Sequence, residues 1–118
     1  MLKIVNTPTF EECCEVLSLG EDGKLYTKGY KASLIQTFQK LLICRDAYWK
    51  IAGEELGLGK PWEPSEYEDC FMVFRSWGKV CTYCGTGNCE PFEFPNEEMC
   101  DAFHKAFKKE LEICKELL

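Results

Sequence analysis

The chain has 118 residues, 46% of them hydrophobic and 29% charged, with a formal net charge of −6. That is enough apolar material for one core and one domain, and too much for a disordered chain. The acidic balance, with no Lys/Arg-rich stretch to offset it, argues against a nucleic-acid-binding role, and no apolar run approaches the ~18 residues of a membrane span.

Leu2 to Val5 reads as a short edge strand, and MLKIVNTP is too short and too soon polar to act as a signal peptide. Thr9 and Glu12 have capping-box spacing, so a short helix starts at Phe10 and closes near Gly20. Glu21 to Gly29 is turn chemistry and reads as a loop. From Lys31 the apolar residues Leu34, Ile35, Phe38, Leu41, Leu42, Tyr48, Trp49, Ala52 and Leu56 fall on one arc at about 100° per residue. This is the longest periodic stretch and predicts the central helix. Gly57 and Gly59 offer left-handed stop positions, and Pro61 and Pro64 prevent further helix.

After Pro64 the period becomes 2. Tyr67 to Arg75 reads as a strand with Phe71 and Val73 on one face, and Cys70, Met72 and Phe74 on the other. Trp77-Gly78-Lys79 is the turn, Val80 to Tyr83 the returning strand, Gly85 to Asn88 a second turn, and Glu90 to Phe94 a third strand, making a meander. Pro91 and Pro95 limit that last strand to short or edge pairing. Asn96 is an N-cap followed by Glu97 and Glu98, and Met99, Phe103, Ala106, Phe107, Ile113, Cys114 and Leu117 form a second long amphipathic stripe. The expected fold is α+β, with two long amphipathic helices packed on a small antiparallel sheet of three to four strands, in a single domain over residues 1–118. Phe38, Leu41, Leu42, Trp49, Phe71, Val73, Phe103 and Phe107 are its expected core.

FEECCEVL, LIQTFQKLLICRDAYWKIAGEELGLGKPWEP and FEFPNEEMCDAFHKAFKKELEICKELL together resemble a group of small proteins of no assigned activity, encoded by bacteriophages and prophages of gut bacteria. The resemblance covers most of the chain, chiefly at core positions. Lys50 stands where that group has Asn, and Ser65 and Glu66 replace its Asp-Trp after the turn proline. It implies a phage-type accessory protein in a bacterial cytoplasm and carries no mechanism.

Nine cysteines, an odd number without an export signal, predict free thiols rather than a disulfide framework. Cys13, Cys14, Cys44, Cys70 and Cys114 lie within apolar patterns and read as small hydrophobes. Cys81 and Cys84, then Cys100 and His104 one helical turn apart, have the residue types and spacing of a zinc site, with Cys89 as a spare ligand. Cys100 with His104 is the sole Cys–His pairing for nucleophilic catalysis, and it lacks an orienting third group. GLGKP lacks phosphate-loop spacing.

Trp62 and Trp77 sit at turns, either as core lids or as anchors for a protein partner. Arg45 and Glu110 each lie inside an apolar stripe, which predicts an ion pair between the two helices. The expectation is a non-enzymatic protein, without a cofactor, that binds a macromolecular partner, a host factor among the candidates. The alternative is a zinc-binding module using Cys81, Cys84, Cys100 and His104. A small-ligand protein would need a pocket between the helices and the sheet.

Overall fold

A computed structural model of the chain describes residues 9–17, 32–65, 67–86 and 90–118. The expected strand at residues 2–5 and loop at 21–29 lie outside them. Helix α1, Phe10–Val16, starts where its capping box predicts: Glu12 N donates to Thr9 Oγ1 at 3.1 Å and Thr9 N to Glu12 Oε1 at 3.2 Å. It buries Cys13 and Cys14. Helix α2, Ala32–Glu55, holds it at both ends. Lys40 lies 5.3 Å over the Phe10 ring. Lys50 Nζ donates to Val16 O at 2.7 Å, placing a cation where the α1 dipole is negative. Gly57 and Gly59 take positive φ of 67° and 70°, as their placement after the stripe predicts. Leu56 falls just past the helix end and is exposed, so it does not extend the stripe.

Strands β1 (Asp69–Ser76), β2 (Lys79–Thr86) and β3 (Phe92–Phe94) form one antiparallel sheet. The spatial order is β2-β1-β3, not the sequential meander the turns suggested. β3 pairs with β1, Phe71 opposite Phe94 and Val73 opposite Phe92. Apolar on both faces, β1 gains most from a central position. The proline-bounded β3 offers only a short pairing.

The second long helix is also corrected: it breaks at Phe107 (φ −115°, ψ 25°) into α3, Glu97–Ala106, and α4, Lys108–Ile113, followed by a 3-10 turn at Lys115–Leu117. The kink keeps Phe107, Leu111 and Cys114 buried while Ile113 points outward. Four α-helices and three strands make up the described fold, which is α+β.

The core is centred on Phe103. Its ring lies 4.9 Å from Phe94, 5.2 Å from Tyr48 and 5.3 Å from Phe92. Such aromatic pairs add about 0.5–1.5 kcal/mol each beyond burial. All eight residues expected in the core belong to this one cluster. Leu41, Val73, Phe103 and Phe107 are fully inside, whereas Phe38, Leu42, Trp49 and Phe71 pack at its margin.

Candidate interaction surface

Ser76 pairs with Lys79, leaving Trp77 and Gly78 as a two-residue turn. Both take positive φ, 53° and 74°, the pattern of a type I′ hairpin turn, which favours Asn-Gly and penalises a bulky side chain at the first position. Trp77 is nevertheless 98% exposed. It accepts backbone strain and buries nothing in this chain.

Behind it, the sheet face away from the helices carries Phe74, Cys81 and Tyr83. The rings of Phe74 and Tyr83 meet edge-on at 5.7 Å, and Tyr83 is 58% exposed. A Cβ on Gly85 would lie 2.7 Å from Tyr83 Cε2, so a larger residue there would displace the exposed ring. Towards β3 the same face closes over Cys70, Met72 and Glu93, all buried. Glu93 Oε1 accepts from the Cys70 thiol at 3.2 Å, and Oε2 from Glu90 N at 3.3 Å. Sequence reasoning missed both Tyr83 and Glu93. Alternation in Phe-Glu-Phe puts Glu93 opposite its neighbours, but its burial depends on chain distant in sequence.

The other sheet face is shared with the helices. Along β2, Cys84 lies opposite Phe71 and Cys81 opposite Phe74. Residues three apart on a strand point to opposite faces, so Cys81 and Cys84 diverge. Cys100 is buried in the core, and His104 is half-buried on α3. Among the described residues, no group of three or more His, Cys, Asp or Glu side chains is placed to hold a metal ion, so the four suggested ligands do not converge.

Four of the buried thiols are also poor nucleophiles. Burial first, then Asp101 and Glu97, push Cys100 up to about 12. Burial and the Glu93 hydrogen bond take Cys70 to about 12. Burial takes Cys114 to about 11, and a hydrogen bond to Cys13 followed by burial raises Cys44 far above its ordinary value. Cys13 and Cys14 are buried as well, and the described cysteines are free thiols.

Trp62 is half-buried against α2: its backbone N–H donates to Trp49 O at 2.9 Å, and its ring packs edge-on against Trp49 at 5.7 Å. The expected Arg45–Glu110 pair is replaced by other contacts. Arg45 Nε and Nη2 donate to Asp46 Oδ1 at 3.0 and 2.8 Å, Nη1 donates to Pro91 O at 3.0 Å, and the guanidinium lies 4.2 Å over the Trp49 ring. The guanidinium thus reaches the sheet edge and an aromatic face instead of the facing helix.

A groove of about 750 Å³ on the outside of α3 and α4 is lined by Lys105, Lys108, Lys109 and Ile113. A cleft of about 330 Å³ between α1, α2 and the α3–α4 junction is lined by Phe10, Lys40, Cys44 and Glu110. Neither lies between the helices and the sheet. Among the described residues, no helix is long and apolar enough to cross a membrane. No protein-family model matches the chain, and neither the curated proteins nor the solved structures hold a significant match to it.

Proposed function

We propose that this chain is a non-enzymatic, phage-type accessory protein, acting in a bacterial cytoplasm, that binds a protein partner through the β1–β2 hairpin. Trp77 is its anchor, and Phe74 and Tyr83 flank it. The observation that carries this reading is Trp77 itself, 98% exposed at φ 53°. A residue that strains the backbone and packs on nothing is retained for something outside the fold. Tryptophan and tyrosine are the side chains that most often dominate protein–protein binding energy. The burial of Cys44, Cys70, Cys100 and Cys114, which raises their thiol pKa values, supports a role without chemistry at those four cysteines.

The test is Trp77→Asn, which supplies the residue this turn prefers. The variant is expected to melt at or above the wild-type denaturant midpoint, by up to ~1 kcal/mol. A partner captured from host lysate by wild type is expected to bind it at least ~30-fold more weakly, the mark of a hot spot worth about 2 kcal/mol. Equal affinity of the two proteins for that partner refutes the assignment.

A further inference from the structure

The two edges of the sheet are finished differently. At the β3 edge, the outward carbonyls of Pro91 and Glu93 are occupied by α2 side chains. Arg45 Nη1 donates to Pro91 O at 3.0 Å and Trp49 Nε1 to Glu93 O at 2.6 Å. At the β2 edge nothing equivalent is found among the described residues. A two-residue turn closes on a hydrogen-bonded pair, here Ser76 and Lys79. The ladder therefore turns the peptide groups of Lys79, Cys81, Tyr83 and Gly85 toward β1, and those of Val80, Thr82, Cys84 and Thr86 outward. The same alternation along β1 sends Phe71 and Val73 toward β3, which agrees with Pro91 and Glu93 being the carbonyls left facing α2.

β2 is eight residues long and contains no proline. Such an edge is a template for another strand unless it is shortened, bulged, covered or charged. Its only charge is Lys79, at the turn. In a chain with 20 acidic residues, none falls between Lys79 and Thr86. Thr82 and Cys84 point to the helix-side face and are exposed, so α3 stops short of this edge and leaves room for a further strand.

We propose that the occupant of this edge is β2 of a second copy of the chain, paired antiparallel across a twofold axis at Tyr83. This register sets Thr82 of one copy opposite Cys84 of the other, and Val80 opposite Thr86, so all the outward peptide groups of both strands are satisfied. Tyr83 meets Tyr83 at the non-hydrogen-bonded position, where side chains approach most closely and aromatic pairs stabilise a sheet. The exposed ring is thereby covered. No like charges face each other, because β2 carries none at the paired positions. The two sheets become one continuous sheet of six strands. This inference stands apart from the Trp77 reading, since it uses the strand edge and not the hairpin tip.

An interface confined to one strand edge and its flanking side chains falls at the small end, under ~1,200 Å². The dimer is therefore expected to be concentration-dependent. The experiment is sedimentation equilibrium of the full chain in reductant over a concentration series, with amide exchange followed on the same samples. Wild type is expected to dimerise, and the amides of Val80, Thr82, Cys84 and Thr86 to slow on the order of tenfold as it does so. Thr82→Pro removes only an outward N–H, which an edge strand tolerates, and is expected to stay monomeric with unchanged far-UV circular dichroism. Should Thr82→Pro fail to fold, Thr82→Lys places charges beside the axis and is expected to give the same monomer.

A wild type that remains monomeric at every concentration overturns the proposal, as does a dimer that survives a folded Thr82 variant. A dimer that disappears with reductant reports cross-linked thiols and also overturns it. Amides protected only when another protein is added would assign the edge to that partner and refute self-pairing. None of these results bears on the affinity comparison for Trp77→Asn.

Discussion

Gly53 is the position where two physical effects predict opposite signs. It lies inside α2, and on helix propensity alone Gly53→Ala should stabilise by about 1 kcal/mol. The structure predicts a loss. A Cβ at Gly53 would lie 2.9 Å from both the Lys60 carbonyl carbon and Pro61 Cα, and would overlap the Lys60 carbonyl oxygen. These are backbone atoms, so no rotamer change relieves the contact. The segment that leaves α2 must lift instead. Lifting it endangers the bonds from Leu58 N to Gly53 O and from Trp62 N to Trp49 O, both 2.9 Å, at about 1 kcal/mol each. It also draws the Trp62 ring off Trp49, at roughly 1–2 kcal/mol in buried apolar area and ring contact. Against a propensity gain of about 1, the net expectation is a loss of about 2–3 kcal/mol. Urea melts with matched m-values measure it, and Trp62→Ala should then cost less in the Gly53→Ala background than in wild type. A variant as stable as wild type, or more stable, would show that the close approach is not required.

Arg45→Met is expected to destabilise by about 1–3 kcal/mol, because it uncaps Pro91 O and removes a cation from the Trp49 face. Adding Glu110→Leu should give no recovery, and a recovery in urea melts would restore the interhelical ion pair. Glu90 is expected to make stability pH-dependent: burial, then the Glu93 carboxylate, raise its carboxyl above the ordinary value. The folded chain thus binds this proton more tightly than the unfolded one, and stability falls as pH rises through and above the usual carboxylate range. Glu90→Gln should be more stable than wild type at pH 7 and lose that advantage near pH 4, as chemical denaturation at the two pH values would reveal. In native reductant-free buffer the exposed Cys84 should react quickly with a thiol reagent, while Cys13, Cys44, Cys70, Cys100 and Cys114 react only after denaturation; fast labelling of Cys100 would contradict its burial.

What the sequence made legible were features set by neighbours a few residues away. The Thr9–Glu12 box, the Asn96 cap and the left-handed glycines after α2 are local chemistry, and each stands where its spacing put it. The two faces of β1 followed from alternation alone. Strand order did not follow, because two hairpin-like turns say nothing about which edge of β1 receives β3. The break at Phe107 was hidden for a related reason. Apolar spacing from Met99 to Leu117 fits one helix, and only the shape of the surface beneath it demands the kink. The C-x₂-C spacing suits a metal site where a strand ends, but β2 continues through Cys84 to Thr86, beyond the expected end at Tyr83, and along a continuous strand the two thiols diverge. Trp77 was visible as a turn aromatic, but its separation from Trp62 needed the Trp49–Trp62 contact, which joins a helix to the loop that leaves it.

Arg45 shows how a correct anomaly acquires a wrong partner. A charge within an apolar stripe needs compensation, and the helical wheel offered only another helix as its source. The wheel contains no sheet, so it had no place for carbonyls of an edge strand. β3 lies beside α2 with Pro91 O and Glu93 O facing it, and Arg45 and Trp49 are one turn apart on the helix that meets them. Two side-chain donors at helical spacing thus match two carbonyls at strand spacing. This match closes β3 to any further strand and fixes the position of α2 along the sheet. Among the described residues it also leaves β2 as the edge without such donors, with the exposed aromatic residues of the hairpin beside it.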